Sequence, residues 1–123
     1  MKLVYIAGPY NAPTPWDVEQ NVRRAEELAL GVAWISNESK IPFGPVCPHT
    51  QSRFFAGQLD EQYWIKLTME MMRRCDAVLL VDRWEKSSGT LGEIEEAGRL
   101  EIPVFQDLED LLIWTEEQEG TDD

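Results

Sequence analysis

The sequence contains few of the residues that build metal centres and disulfide frameworks. It has one histidine and two cysteines among 123 residues. A structural zinc site needs about four Cys or His ligands at close spacing, and a disulfide framework needs several cysteine pairs. We therefore predict neither, and we interpret Cys47 and Cys75 as small buried apolar residues.

Cationic side chains and long apolar runs are also scarce. Eleven Lys and Arg stand against 23 Asp and Glu, so the net charge is −12. Because nucleic-acid polymers are bound through cationic neutralisation of phosphates, such a partner is not expected. No apolar run approaches the roughly 20 residues of a membrane span, and no signal-peptide pattern is found. We expect a soluble cytoplasmic protein that does not bind membranes.

What the sequence does contain is an alternation of apolar runs and amphipathic segments. The runs at 2–7, 41–47, 77–81 and 102–105 predict strands, and segments that begin near Thr14, Asp60, Gly89 and Asp107 predict helices. Three prolines lie in and beside the second run, and they favour a position for this strand near the edge of the sheet. This order predicts an α/β fold of three layers, a mostly parallel sheet of four to five strands with helices on both faces, flavodoxin/Rossmann-like. Residues 1–118 are predicted to form one domain, and residues 119–123 an acidic flexible tail.

The loops that follow three of the strands are where a ligand is expected. In open α/β sheets, ligands bind beyond the carboxyl ends of the strands. The loop segments 8–11, 47–50 and 82–93 should therefore converge at one edge of the sheet. Any chemistry is predicted to lie there.

The segment from Ser87 to Glu93 combines small residues with one carboxylate at a strand-to-helix junction. Glycines permit close approach to the backbone, and free amides at a helix start attract anions. We expect Glu93 in the first turn, held ionised by the helix dipole and pointing into the crevice. Such a carboxylate can attack an anomeric carbon. The alternative is that Glu93 only stabilises its own helix.

Several short segments stand in a fixed order along the chain: Tyr5-Ile6-Ala7-Gly8-Pro9, Cys75-Asp76-Ala77-Val78, Trp84, Ser88-Gly89, Glu93, Ala97 and Pro103-Val104. Together these segments resemble the nucleoside 2-deoxyribosyltransferase-like superfamily, and within it the small phage- and bacterium-type domains of the DUF4406-type group. Active members of that superfamily break or exchange the N-glycosidic bond of deoxynucleosides or their 5′-monophosphates. The resemblance implies no metal or organic cofactor.

The resemblance also implies roles for individual residues. Glu93 matches the nucleophile, and Tyr5 matches a tyrosine that steadies it. Ser87 and Ser88, with the backbone at Gly89, match the site that holds a 5′-phosphate. His49 matches a histidine that lines the base pocket. Gly8 and Pro9 are added as substrate-binding residues because they follow the first strand.

Each of these interpretations has a structural alternative. Tyr5 can be an ordinary strand aromatic, His49 can cap a segment after Pro48, and serines are common in turns. Trp84 can stack on a base or simply cover the edge of the core.

One position departs from the superfamily pattern. Several active relatives carry an Asp in the helix before the third strand, where it helps to protonate or hold the leaving base; this sequence has Thr68 there. A hydroxyl cannot act as a carboxylic acid near neutral pH. Asp60, Glu61, Glu70 and Asp82 are the possible replacements, and we select Asp60 because it lies near the loop after His49.

The leading hypothesis is an N-glycosidase or deoxyribosyltransferase acting on a small nucleoside or nucleotide. Its rivals are a catalytically silent nucleotide-binding module, favoured by Thr68, and a protein-interaction domain. By resemblance we also expect a homo-oligomer, a dimer or larger, in which a neighbour completes the pocket. Trp114 and the Phe54-Phe55 loop are the expected contacts.

Overall fold

Among the described residues, four short parallel strands form a central sheet. The computed structural model describes residues 1–51 and 56–121. The strands are β1 (Lys2–Ala7), β2 (Phe43–Val46), β3 (Ala77–Leu80) and β4 (Val104–Phe105), in the order β2-β1-β3-β4. Every adjacent pair is parallel. The predicted α/β fold with a parallel sheet is confirmed, and β2 lies at an edge, where its proline costs little hydrogen bonding.

In the part of the chain that the structure describes, five helices connect and flank the strands. They are α1 (Pro15–Ser39), α2 (Pro48–Gln51), α3 (Glu61–Arg73), α4 (Ser88–Arg99) and α5 (Leu108–Thr121), with 3-10 turns at Ala56–Gln58 and Trp84–Lys86. Within the described residues, no helix combines the length and the apolar character that crossing a bilayer requires.

The termini of the first and last helices differ in how well the sequence predicted them. The Thr14 side chain caps α1 by accepting a hydrogen bond from the Asp17 amide at 3.1 Å, as the sequence pattern indicates. The helix ends at Ser39, and Lys40 closes it in the left-handed conformation. Helix α5 continues to Thr121, so residues 119–121 of the predicted flexible tail are helical.

The alternation of side chains along β1 divides the core into two apolar clusters. Val4 and Ile6 face α1 and α5, whereas Tyr5 and Ala7 face α3 and α4. The first cluster also contains Ala25, Ala29, Val32, Phe43, Ala77, Leu79, Val81 and Leu111; the second also contains Met72, Cys75, Val78, Leu80 and Ala97. Helices therefore cover both faces of the sheet, and the side chain of Tyr5 is directed to the face that carries α4.

The end of β1 passes very close to the residue that follows β3. The Ala7 carbonyl accepts a hydrogen bond from the Val81 amide at 2.8 Å. A Cβ atom on Gly8 would lie 2.4 Å from the Val81 Cβ, so any larger residue would force the two segments apart. Glycine at this position lets the chain leave the strand and turn into the crevice beyond the sheet.

A charged cluster joins α3 to α4 on the surface. Arg73 from α3 donates to Glu96 of α4 at 2.7 Å, and Arg99 binds the same carboxylate at 2.6 Å. These hydrogen bonds lower the pKa of Glu96 to about 2. Because the cluster is exposed, we regard it as setting the orientation of the two helices rather than as a large source of stability.

Candidate active site

A cavity of about 670 Å³ opens at the carboxyl edge of the sheet, where the sequence predicted it. Its wall comes from the end of β1 and the loop after it, from α2, from the segment that leads into α3, and from the start of α4. The lining residues are Tyr5, Ile6, Gly8, Pro9, Tyr10, Asn11, Pro48, His49, Gly57, Leu59, Glu61, Trp64, Ile65, Thr68, Lys86, Ser87, Ser88, Gly89, Thr90 and Glu93. This volume is within the range of small-molecule sites.

Glu93 lines the cavity from the second turn of α4. The sequence pattern predicts it in the first turn, but the helix begins at Ser88, with Ser87 as its N-cap, so that prediction is wrong. The predicted ionised state is wrong as well: Glu93 is only 9% exposed, and burial raises the pKa of its carboxyl from 4.5 to about 7. Desolvation therefore outweighs the helix dipole, and the carboxyl is not held fully ionised at neutral pH.

Tyr5 and Glu93 form a buried hydrogen-bonded pair. The Tyr5 hydroxyl donates to Glu93 Oε2, and Tyr5 is 1% exposed. Burial and the adjacent carboxyl raise the pKa of Tyr5 well above its ordinary range, so the phenol remains a donor. The same bond lowers the pKa of Glu93 against the effect of burial. The pair thus fixes the orientation of Glu93 and offsets part of the effect of burial on its pKa.

Thr68 lines the cavity. It stands where several active members of the resembling superfamily carry an Asp. Its hydroxyl lies beside the Tyr5 phenol, where its hydrogen bond lowers the pKa of Tyr5. Thr68 also donates to the Ile65 carbonyl at 3.3 Å. No carboxyl group comes from this position.

Asp60, selected as the replacement acid, does not line the cavity. Its carboxylate caps α3 by accepting from the Gln62 amide at 3.1 Å. The next residue, Glu61, lines the cavity instead and accepts a hydrogen bond from Asn11 Nδ2 at 2.8 Å. Among the described residues of the wall, Glu61 and Glu93 are the carboxylates.

The junction before α4 presents backbone amides and small side chains to the cavity. Ser87 is half-buried, and its hydroxyl accepts from the Thr90 amide at 3.1 Å and from the Thr90 hydroxyl at 3.0 Å. Its acceptor capacity is therefore used in capping the helix. Ser88 and Gly89 are exposed and line the same cavity. Both remain available to a ligand.

His49 is 4% exposed and forms part of the wall, together with Gly8 and Pro9. Its Nε2 lies 3.0 Å from the Pro9 carbonyl oxygen. Burial lowers the pKa of the ring, which is therefore neutral at physiological pH. Tyr10 packs against it with ring centroids 5.8 Å apart.

Trp84 is not part of the cavity. It follows β3 in a 3-10 turn and packs against the second apolar cluster, which agrees with the alternative that Trp84 covers the edge of the core. The role of Trp84 in substrate binding therefore stays a prediction that the cavity lining does not support.

Residues 2–107 match the model of a family described as a domain of unknown function, DUF7768. The chain belongs to the DUF7768 family. The narrower DUF4406-type placement is not confirmed. No curated protein matches this DUF7768 domain. A solved structure from a study of a 2-deoxyribosyltransferase of the psychrotolerant bacterium Bacillus psychrosaccharolyticus is similar to it, with a TM-score of 0.53, 17% identity, and coverage of 83% of this chain and 69% of that chain. At this level of sequence identity, the similarity shows a shared fold only.

Several wall residues of the DUF7768 domain lie in the predicted ligand loops but were not singled out as site residues. Tyr10 and Asn11 directly follow Gly8-Pro9, so their place in a strand-end loop was a usable signal. Lys86 was also missed; it is exposed and has no ion pair among the described residues. A lysine beside the α4 junction is conspicuous in a chain of net charge −12. It brings positive charge to the cavity.

Proposed function

We propose that this protein cleaves or exchanges the N-glycosidic bond of a (deoxy)nucleoside or its 5′-monophosphate, with Glu93 as the nucleophile. One observation carries the proposal: a buried carboxyl on the wall of a ligand-sized cavity is held by the phenol of Tyr5. The fold shared with the structure of a 2-deoxyribosyltransferase supports the same substrate class.

The reaction follows from the chemistry of this pair. An ionised Glu93 oxygen attacks C1′ of the sugar, and the C1′–N bond breaks with its electron pair leaving on the base. The resulting ester is resolved when water or the nitrogen of a second base attacks C1′ and releases the carboxylate. With a pKa of about 7, a substantial fraction of Glu93 is ionised at neutral pH. Tyr5 keeps the attacking group in one orientation.

The departing base needs a proton, and the wall offers few sources for it. Thr68 cannot supply one, because its hydroxyl is not acidic near neutral pH. Glu61 is the other carboxyl group of the described wall, so it takes the place that the sequence analysis gave to Asp60.

The 5′ end of the substrate, which lies away from the base, is assigned to the junction before α4. The first amides of α4, the Ser88 hydroxyl and the Lys86 ammonium suit an anionic or strongly polar group. A 5′-phosphate or a 5′-hydroxyl fits these donors. The net charge of −12 argues against a nucleic-acid polymer as substrate.

A catalytically silent nucleotide-binding module is the second candidate, and Thr68 is the observation that favours it. The deciding experiment incubates the protein with a panel of deoxynucleosides and their 5′-monophosphates, with and without a second free base. Chromatography measures free base and exchanged nucleoside, and calorimetry measures binding. We expect turnover of at least one compound. Binding without turnover would favour the silent module, and the absence of both would exclude both functions.

We also propose that a second copy of the chain covers the cavity rim. Leu59 and Ile65 line the cavity and are 53% and 43% exposed, although both are apolar. Trp114, one expected contact, instead packs against Phe105 at a centroid distance of 5.7 Å, and Phe54-Phe55 lies outside the described residues. We expect a dimer or larger assembly in sedimentation velocity. A monomer at micromolar concentration would contradict this part of the proposal.

A further inference from the structure

Asn21 is a polar side chain on the otherwise apolar buried face of α1, and it is only 7% exposed. Its Nδ2 donates to the Tyr10 carbonyl oxygen at 3.0 Å, and its Oδ1 accepts a hydrogen bond from the Arg24 guanidinium. Burying an amide is unfavourable unless its polar atoms are hydrogen-bonded, and here both ends of the amide are.

The two partners leave one orientation for this amide, and they explain why the position holds an asparagine. A guanidinium only donates and a carbonyl oxygen only accepts, so Oδ1 must face Arg24 and Nδ2 must face Tyr10. A carboxylate would have no donor for the Tyr10 carbonyl, and an apolar side chain would satisfy neither partner. Asn21 therefore ties the segment that follows β1 to α1 through the main chain of that segment.

The segment that Asn21 ties down forms one wall of the cavity. Tyr10 and Asn11 both line it, and the Tyr10 ring packs against the ring of His49. Asn11 Nδ2 donates to Glu61 Oε1 at 2.8 Å. Because the carbonyl held by Asn21 belongs to the peptide group that joins Tyr10 to Asn11, fixing it restricts where the Asn11 side chain can reach. The contacts thus continue from α1 to the carboxyl group at the start of α3.

We infer that Asn21 and Asn11 are positioning residues for Glu61, and that they hold its carboxyl in place to protonate the departing base. The inference rests on the proposed function, which makes Glu61 the proton donor, and it extends that function by naming the groups that fix the donor. Oε1 accepts from Asn11, which leaves Oε2 to carry the proton. As the C1′–N bond breaks, its electron pair stays on the base, the proton passes from Oε2 to the base, and Glu61 is left as a carboxylate that Asn11 still donates to.

Substrates whose base departs without a proton distinguish this role from a general effect on the fold. In 7-methyl-2′-deoxyguanosine and 3-methyl-2′-deoxycytidine the base is already cationic and leaves as a neutral molecule. Each is compared with its unmethylated parent, as nucleoside and 5′-monophosphate, with spontaneous base release subtracted. Asn21→Asp keeps an acceptor for Arg24 but loses the donor to Tyr10. We expect its kcat/KM to fall about tenfold or more for the parent and about twofold or less for the methylated compound.

Asn37→Asp is the matched control, because Asn37 is an exposed asparagine of the same helix and the chemical change is identical. It should leave both rates unchanged. Asn11→Leu should reproduce the pattern of Asn21→Asp, and Asn11→Gln, which keeps an amide donor, should recover most of the rate on the parent. Since Asn11 is exposed, its variants test the same role if Asn21→Asp does not fold.

Equal losses on the parent and the methylated substrate, or no loss on either, would overturn the inference and leave the proposed function intact. If the unaltered protein turns over no compound of the nucleoside panel, the proposed function fails and the inference fails with it.

Proton NMR of the free protein tests the contact between Asn21 and Tyr10 without any substrate. His49 is the single histidine of the chain, and its ring lies 5.8 Å from the Tyr10 ring, so its signals report on the position of Tyr10. We expect Asn21→Asp to shift the His49 ring-proton signals and Asn37→Asp to leave them in place. Unshifted signals in a folded Asn21→Asp protein would overturn the inference whatever the rates show.

Discussion

Glu93→Gln is expected to reduce base release or base exchange by about a thousandfold or more, measured as initial rate on the best substrate of the panel. Glutamine has nearly the same shape as glutamate and can still accept the hydrogen bond from Tyr5. An amide, however, does not attack C1′ to form the ester intermediate. The loss should therefore fall on kcat, with substrate binding largely retained.

Glu95→Gln is the matched control for this variant. Glu95 lies on the same helix and is exposed, so its substitution removes the same formal charge without touching the cavity. It should leave the rate unchanged. For the unaltered protein, kcat/KM should rise with pH and level off above an inflection near the Glu93 pKa of about 7, because the ionised carboxyl is the reactive form. A Glu93→Gln rate within tenfold of the unaltered protein would contradict the nucleophile assignment.

The fold was largely predictable because strong local signals agreed with one another. The apolar runs that became β1 and β3 have no competing helical pattern, and the prolines around β2 confine it to an edge. Thr14, Pro15 and Asp17 together specify the start of α1. In each case the residues that determine the element and its position lie within one short segment.

The turn that holds Glu93 could not be fixed from sequence. Ser87, Ser88 and Thr90 are all competent N-cap residues, and choosing among them moves Glu93 by most of a helical turn. In the structure Ser87 takes the cap, so Glu93 lies deeper than expected. Burial then outweighs the dipole as the determinant of its pKa.

The composition of the cavity wall depended on long-range packing. Strand alternation predicts that Tyr5 and Val4 face opposite sides of the sheet, but not which helix covers Tyr5. Asp60 and Glu61 are adjacent acids near one helix start; Asp60 is used as the cap, and this leaves Glu61 for the cavity. The packing of Trp84 has the same kind of cause, since the turn after β3 directs it toward the second apolar cluster.

The buried position of Glu93 makes the folded protein less stable when the carboxyl is ionised. In the folded protein the pKa of Glu93 is about 7, above its ordinary value of 4.5 in an exposed chain. As pH rises from below 4.5, the unfolded chain loses the proton first, so the folded state becomes relatively less stable until pH passes the folded pKa. Integrated over that interval, the penalty is about 3 kcal/mol.

Glu93→Gln should therefore stabilise the free protein at alkaline pH while it abolishes activity. We expect the unfolding free energies of the two proteins to be nearly equal at about pH 4, and the variant to be more stable by about 3 kcal/mol at about pH 8. Urea titrations followed by tryptophan fluorescence would measure both values, and Glu95→Gln should show no comparable change with pH. Because this comparison needs no substrate, it tests the buried carboxyl separately from the reaction. If the difference in unfolding free energy between Glu93→Gln and the unaltered protein does not change with pH, Glu93 titrates normally. A normally titrating, solvated carboxylate at this position would not support the assignment of the cavity as an active site.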